Sequence, residues 1–378
     1  MLVNKQLVYL SLTSWSAFDQ RPHHFVRWYH QRTKKPVLWV NSYPTRLPKI
    51  SDFYRLNKNA QSDVRNDELT IDWLTQVSPK ALPVEPIKLL TGINQYLWRR
   101  QLEQILRFIS KAETTLVVTK PSRFALEVIK ANPNVDLIYD VMDDYASFYT
   151  GISKVSMMEI EKQLLKYKPL VLSSCSNLVP RYEALGLSVR KVFNAVPDSI
   201  PRFNNHCRQG VRPVLGYVGG VGSWFDWEWL IELANLFPNS DIRIIGPLFE
   251  GRPKHLPPNI HFYGPCDHLT AMRHIAQFNV GLIPFKRNTI TNAVDPIKYY
   301  EYIIQGVPVL STPFGEMLAT HKNELGVFLA DCGSLRLSAI SALRCKLSSD
   351  YVNSFMQVNS WDYRFDSADI ISKNTFLN

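Results

Sequence analysis

Lys298 and Glu301 stand three apart in the run Asp295-Pro-Ile-Lys298-Tyr-Tyr-Glu301-Tyr-Ile-Ile-Gln-Gly306-Val-Pro308-Val-Leu-Ser-Thr312, which reads as a helix feeding a buried strand. Asp295 is placed to cap the helix and Pro296 to take its first position. Gly306 and Pro308 end it and release the chain into the apolar stretch Val307 to Leu310. At this spacing the two side chains share a helix face, with Lys298 near the N-terminal N–H groups that favour an anion. A phosphate at the helix start and a ribose diol one turn deeper would satisfy both, which is the chemistry of a nucleotide diphosphate clamp. The competing reading is a solvated surface pair worth roughly 0.3 kcal/mol. Position favours the clamp, because open α/β folds take ligands at such loop-to-helix entries.

Three further segments could do chemistry. Val135-Asp-Leu-Ile-Tyr-Asp140-Val-Met-Asp143-Asp144 reads as a strand ending in carboxylates. A carboxylate there points into a crevice, and apolar neighbours could raise its pKa to suit general-base work. Asp143 is the candidate base and Asp140 a structural partner, while Asp143 or Asp144 could instead cap the next helix. Gly216-Tyr-Val-Gly219-Gly220-Val-Gly222 precedes a helix and could let a phosphate or sugar approach backbone N–H groups, though it is neither a full G-x-G-x-x-G nor a P-loop and could be a plain turn. Lys286 and Arg287 follow the apolar run Val280 to Phe285 and could face a leaving diphosphate or simply solvent. Arg21, His23 and His24 lie where a loop enters a helix with Pro22 in its first turn. Arg21 would suit an acceptor phosphate and the histidines could assist, although paired histidines are also common as structural residues. No Cys or carboxylate stands at metal spacing beside them, so no metal site is expected.

Apolar runs that could be buried strands come in two series with helical stretches between. Leu7 to Leu12, Val37 to Val40, Thr115 to Val118, Leu137 to Val141, Leu170 to Leu172 and Val189 to Val192 make the first; Val214 to Val218, Ile242 to Ile245, Ile260 to Tyr263, Val280 to Ile283 and Val307 to Leu310 make the second. Such alternation predicts parallel sheets covered by helices on both faces. The polar, Pro- and Gly-broken segment 194–213 reads as the linker. Two doubly wound domains are expected to face a cleft, an N-terminal one over residues 1–200 and a C-terminal one over 210–351, with 352–378 packing back on the first.

With 378 residues the chain exceeds one ordinary core, and 46% hydrophobic with 20% charged residues marks a folded protein. Five scattered cysteines argue for a reducing compartment and against zinc. The N-terminal run reads as a first strand rather than a signal peptide, and no segment reaches the roughly 20 apolar residues of a membrane span. The net charge of +10 is uneven: residues 1–135 hold 20 Lys and Arg against 10 Asp and Glu, leaving 23 against 23 in the remainder. An anionic partner for the N-terminal third follows, whether membrane lipid, a phosphate-bearing acceptor or nucleic acid. Nucleic acid ranks lowest, because the basic residues form no recognised module. From Glu85 to Lys111 a basic amphipathic helix with Tyr96 and Trp98 could lie in a membrane interface or cover the core.

Taken together, these segments resemble the GT-B fold glycosyltransferases, particularly bacterial enzymes of teichuronic-acid, capsule and exopolysaccharide assembly. The residues that carry the resemblance are Gln20-Arg21-Pro22-His23, Tyr139-Asp140-x-x-Asp143, Phe193-Asn194-Ala195-Val196-Pro197, Gly219-x-x-Gly222, Ile245-Gly246-Pro247, Pro296-x-Lys298-x-x-Glu301-Tyr302-x-x-x-Gly306-x-Pro308-Val309, and Ser360-Trp361-Asp362-x-x-Phe365. The resemblance implies two Rossmann-like domains. It implies that Glu301 is the second acid of a Glu-x7-Glu motif that binds the donor ribose, but the first acid's position holds Ala293. The chain is also similar to the xanthan-type glucuronosyltransferases, in which a Lys on this helix binds the nucleotide diphosphate and an Asp is the base of an inverting reaction. Lys298 and Asp143 occupy those positions.

The implied function is metal-independent transfer of a hexosyl or uronosyl group from a nucleotide diphosphate sugar to a lipid-linked or growing glycan acceptor. The expected location is cytoplasmic, peripheral on the inner membrane face. Donor-binding residues would be Lys298, Glu301, Tyr299, Gly219, Gly220, Gly222 and Arg287; acceptor-binding residues Arg21, His23 and His24; the base Asp143; with no cofactor besides the donor substrate. A nucleotide-sugar 2-epimerase of the same fold and a non-catalytic nucleotide-sugar-binding subunit are the alternatives.

Overall fold

The structure is a computed structural model that describes residues 5–45, 47, 71–87, 90–196, 200–203 and 212–371. By internal contacts the chain divides into two units. The first comprises Met1–Ser174, Leu178–Val192 and Phe365–Asn378, the second Cys175–Asn177 and Phe193–Arg364. The chain thus leaves the first unit at Val192 and rejoins it at Phe365, later than the expected residue 352. The reason is packing: Phe355, on the helix Ser349–Val358, lies edge-on to Tyr299 at 5.5 Å in the second unit's core, whereas Phe365 packs 5.1 Å from Phe25 in the first. Residues 197–199 and 204–211 of the expected linker, Cys207 and the C-terminal residues 372–378 lie outside the described residues.

The first unit is built on β1 (Gln6–Leu10), β2 (Val37–Val40), β3 (Leu74–Val77), β4 (Thr114–Val118), β5 (Asp136–Val141), β6 (Leu170–Ser173) and β7 (Val189–Lys191). They form one parallel sheet in the order β3-β2-β1-β4-β5-β6-β7, so the strand order reverses between β1 and β4. Strands β1, β2 and β4 are buried on both faces, which is why they appear in the sequence as unbroken apolar runs. Strand β3 is partly exposed along Leu-Thr-Gln-Val, and that polarity hid it from the sequence reading.

The second unit holds β8 (Val214–Val218), β9 (Asp241–Ile245), β10 (Ile260–Phe262), β11 (Val280–Ile283), β12 (Val309–Ser311) and β13 (Val327–Leu329) in the order β10-β9-β8-β11-β12-β13, again parallel, with the reversal between β8 and β11. Alternation along the strands sends Leu215, Tyr217 and Leu282 to one core with Trp229 and Leu233, and Val214, Val218 and Ile283 to the other with Tyr302 and Ile303.

The expected basic helix is two helices, Thr91–Leu97 and Arg99–Ile109, with Lys88 and Leu89 outside the described residues. Trp98, at the break, is not at an interface: it is buried against Tyr43 and Phe124. Tyr96 is 80% exposed. Among the described residues no helix is long and apolar enough to cross a membrane.

Candidate functional site

The helix Ile297–Ile304 carries the lysine and glutamate that drew attention in the sequence. It is buried nearly all round, and Tyr302 anchors it. The Tyr302 hydroxyl accepts the Val218 N–H at 3.1 Å and donates to the Leu282 carbonyl at 3.2 Å. It bridges β8 and β11 beyond their last paired residues, Gly216 and Gly281. The helix therefore starts at the C-terminal side of the strand-order reversal, where doubly wound sheets open a crevice.

The expected cap is corrected. Pro296 occupies the cap position and the helix begins at Ile297; Asp295 makes no cap bond. Its carboxylate is buried, accepting from the Tyr300 hydroxyl at 2.9 Å and the Asn194 N–H at 2.6 Å. Those partners satisfy the buried charge better than the first turn could. Gly306, at φ 72°, ends the helix, and the strand that follows starts at Val309 rather than Val307.

On this frame Lys298 Nζ donates to Glu301 Oε2 at 2.6 Å, and His268 Nε2 lies 3.1 Å from Glu301 Oε1. Glu301 is buried, which alone would raise its pKa. Lys298 and the His268 hydrogen bond outweigh that and hold it below the usual value, so the carboxylate stays ionised. An ionised carboxylate only accepts hydrogen bonds, which suits a diol.

The loop after β8 passes beside Lys298. A Cβ on Gly219 would come 3.6 Å from Lys298 Cε and 2.8 Å from the Tyr217 hydroxyl, and its φ of 150° already disfavours a side chain. Gly246 lies closer still: a Cβ there would sit 2.1 Å from the Gly219 carbonyl oxygen. Gly246 also donates its N–H to Gly264 at 2.8 Å. The loops after β8, β9 and β10 are thereby drawn together, with bare backbone next to Lys298. Gly220 and Gly222 belong to the same loop, covered by the rings of Phe249 and Trp224 respectively.

His268 was not singled out in the sequence. A local signal existed, because Asp267 caps the helix His268–Ile275 through the Thr270 N–H at 2.9 Å. That signal reports a helix start and says nothing of Glu301, which only the fold brings to it.

Three expected ligand contacts are corrected by burial. Arg21 is 4% exposed, and its guanidinium is committed to Asp140, with Nη2 to Oδ1 at 2.7 Å and Nε at 3.1 Å, and to the Val192 carbonyl. It is a buried ion pair of the first unit rather than an acceptor-phosphate receptor. His23 is fully buried between Trp15 and Trp39, and its Nδ1 accepts the Gln20 N–H at 3.2 Å in a capping box. Burial lowers its pKa, which disfavours the cation an anionic acceptor would want. Tyr299 is stacked on His321 at 4.2 Å and is buried in the core of the second unit. His24 is half-buried on the same helix as Arg21.

Asp140 is fully buried with Arg21 and the Tyr9 hydroxyl, so it acts as the structural carboxylate of its strand. Asp143 is half-buried just past that strand. Burial, helped by the charge of Asp144, pushes its carboxyl up to about 7, within the range of a general base at neutral pH. Asp144 instead accepts from Ser147 at 2.6 Å and pairs with Arg181 at 3.2 Å. Arg287 is exposed beside a cavity of the second unit, on the loop after β11.

No family model matches the chain. A curated Bacillus subtilis (strain 168) protein provisionally named a teichuronic acid biosynthesis glycosyltransferase is 22% identical over 201 residues, 47% of this chain. The match spans about half the length of that relative, 50% of it. Among solved structures, sucrose-phosphate synthase from Thermosynechococcus elongatus superimposes with a TM-score of 0.67 at 12% identity, covering 97% of this chain and 98% of that one. The Anabaena protein HepE, determined with UDP and glucose, gives 0.63 at 10% identity over 96% and 98%. The lipopolysaccharide outer core galactosyltransferase WaaB gives 0.60 at 12% identity over 96% and 98%. Together with its two parallel sheets of seven and six strands, these matches show that the chain has the GT-B fold of two Rossmann-like domains.

Proposed function

We propose that this chain is a glycosyltransferase of polysaccharide biosynthesis, moving a sugar from a nucleotide diphosphate sugar to a lipid-linked or growing glycan acceptor. The observation that carries it is the Lys298–Glu301 pair at the strand-order reversal of the second unit, with bare Gly219 backbone beside it. Lys298 and the first-turn N–H groups of its helix suit a diphosphate, and the ionised Glu301 suits the ribose hydroxyls. Relatives named as synthases and transferases support the reading, and none of them favours the epimerase or the non-catalytic subunit.

In this reaction the acceptor hydroxyl oxygen forms a bond to the anomeric carbon as the bond from that carbon to the diphosphate oxygen breaks. Asp143 takes the hydroxyl proton, which its raised pKa allows at neutral pH. The charge that develops on the departing diphosphate meets Lys298 and backbone N–H groups already in place, the role a metal plays elsewhere. A separate base and a direct displacement correspond to inversion at the anomeric carbon. Transfer of labelled sugar by wild type and Lys298→Ala tests the reading, and near-normal turnover in the variant would overturn it.

Attachment to the inner membrane face belongs to the same proposal. On the helix Gly151–Leu165, Ile152, Val155 and Met158 are 57%, 68% and 50% exposed on the side away from buried Met157, Ile160 and Leu164. Exposed Lys154, Lys162 and Lys166 accompany them, a combination that suits an anionic lipid surface.

A further inference from the structure

The loops after β11 and β12 line the cavity beside Arg287, of about 660 Å³, within the usual ligand-pocket range of about 300–1,000 Å³. Arg287 stands on the first loop and Lys322 beyond the second, both exposed, and neither side chain has a hydrogen-bond or ion-pair partner among the described residues. Among the described residues no carboxylate lines the cavity. From Pro284 to Val294 the first loop contains no acid, and buried Ala293 adds none. The nearby Glu316 is turned inward, where the Ser176 N–H and the Thr320 hydroxyl take up its oxygens.

The remainder of the wall is neutral, polar along Asn288 to Asn292 and apolar at Pro313, Phe314, Leu318 and Ala319. Asn177 Nδ2 donates to the Asn292 carbonyl at 2.9 Å and to its Oδ1 at 3.2 Å, which fixes both amides at the wall, and Thr289 adds a hydroxyl; such groups pair with sugar hydroxyls. The loop keeps its shape without a ligand, since Asn288 Oδ1 accepts from the Ile290 and Thr291 N–H groups at 3.0 Å each and the Thr291 hydroxyl donates to the Lys286 carbonyl. Two cations in one cavity without a counter-charge repel each other, and an anion between them relieves that repulsion.

We infer that this cavity is a subsite for a negatively charged sugar, one bearing a carboxylate, which Arg287 and Lys322 bind by charge while the amides and hydroxyl take its ring hydroxyls. The sugar part of the inference rests on the transferase reading; the charge part rests on the cavity alone. The acidic sugar could arrive as the donor's glycosyl group or at the end of the acceptor, and the chemistry read is the same.

The experiment has two arms, run by calorimetric titration on wild type and on an R287Q/K322Q double variant. In the donor arm UDP-glucuronate is compared with UDP-glucose, and GDP-mannuronate with GDP-mannose. In the acceptor arm a disaccharide ending in glucuronate is compared with one ending in glucose. The expected result is a preference of about tenfold for the acidic member in one arm, lost in the double variant. Equal binding of acidic and neutral members in both arms, or a preference that survives the double variant, overturns the inference. Binding of UDP alone, and its loss in Lys298→Ala, reports separately on the donor reading.

Discussion

Lys298 Nζ sits 2.6 Å from Glu301 Oε2, and the two are unequally exposed, at 21% and 5% of their side chains. The lysine can reach a ligand, whereas the carboxylate behind it depends on that lysine and on His268 to remain charged. The site is therefore coupled to the stability of its own domain.

Glu301 titrates below its ordinary value in the folded chain, so its stabilising contribution is present above the unfolded value of about 4.5 and is lost as pH falls through the folded one. Lys298→Ala should lower stability at pH 7 by about 2 kcal/mol, because it removes a charge-assisted bond from a buried carboxylate. The loss should shrink as the pH falls below about 4.5 and on through the lower folded value, where Glu301 becomes neutral. Thermal melts of both proteins from pH 3 to 8 read the difference, and a pH-independent gap would contradict the coupling.

Asp143 has the opposite sign. Its folded pKa of about 7 lies above its ordinary 3.8, so its contribution is fully present below 3.8 and is lost as pH rises through about 7. Asp143→Asn should accordingly raise the melting temperature at pH 8, by the equivalent of on the order of 1 kcal/mol. Transfer should fall by about 100-fold or more, and the wild-type rise of kcat/KM with pH through about 7 should disappear. A variant that keeps that limb would show that another group is the base.

Arg21 and Asp140 form a buried pair with the Val192 carbonyl as a third partner. Arg21→Ala leaves a buried carboxylate unpaired and should cost about 3–5 kcal/mol in urea unfolding, while Arg21→Met with Asp140→Leu should recover most of it. If Arg21→Ala is stable and only raises the KM for acceptor, the structural assignment fails.

Gly246→Ala should be worse than Gly219→Ala. The first places a methyl against a backbone carbonyl that cannot rotate away, the second mainly against the Tyr217 hydroxyl. Losses of about 3 and 1–2 kcal/mol are expected, with UDP affinity falling in both. Equal stability of the two variants would indicate that the loops are not pressed together as described.

Serine at Ile152, Val155 and Met158 together should reduce co-sedimentation with vesicles containing anionic lipid by about tenfold and leave the melting temperature nearly unchanged, since all three side chains are exposed. Undiminished sedimentation would exclude this helix as the attachment surface.

The sequence by itself determined the alternation of strands and helices, because strands buried on both faces must be continuous apolar runs, as in Leu7-Val8-Tyr9-Leu10. It also determined that Lys298 and Glu301 share a helix face, since three residues are nearly one turn. Strands β3 and β13 were missed because Leu74-Thr-Gln-Val and Val327-Phe-Leu are short and only partly buried. Tertiary structure alone decided which polar residues reach solvent. Arg21, His23 and Tyr299 have side chains suited to ligands, yet each finds its partner inside the fold: a carboxylate from β5, two tryptophan rings, a histidine ring. His268 went the other way, brought to Glu301 across 33 residues of chain because β10 and β11 run parallel in one sheet and both end on its C-terminal side. Local propensity carries no information about such distant partners, and burial makes finding them obligatory.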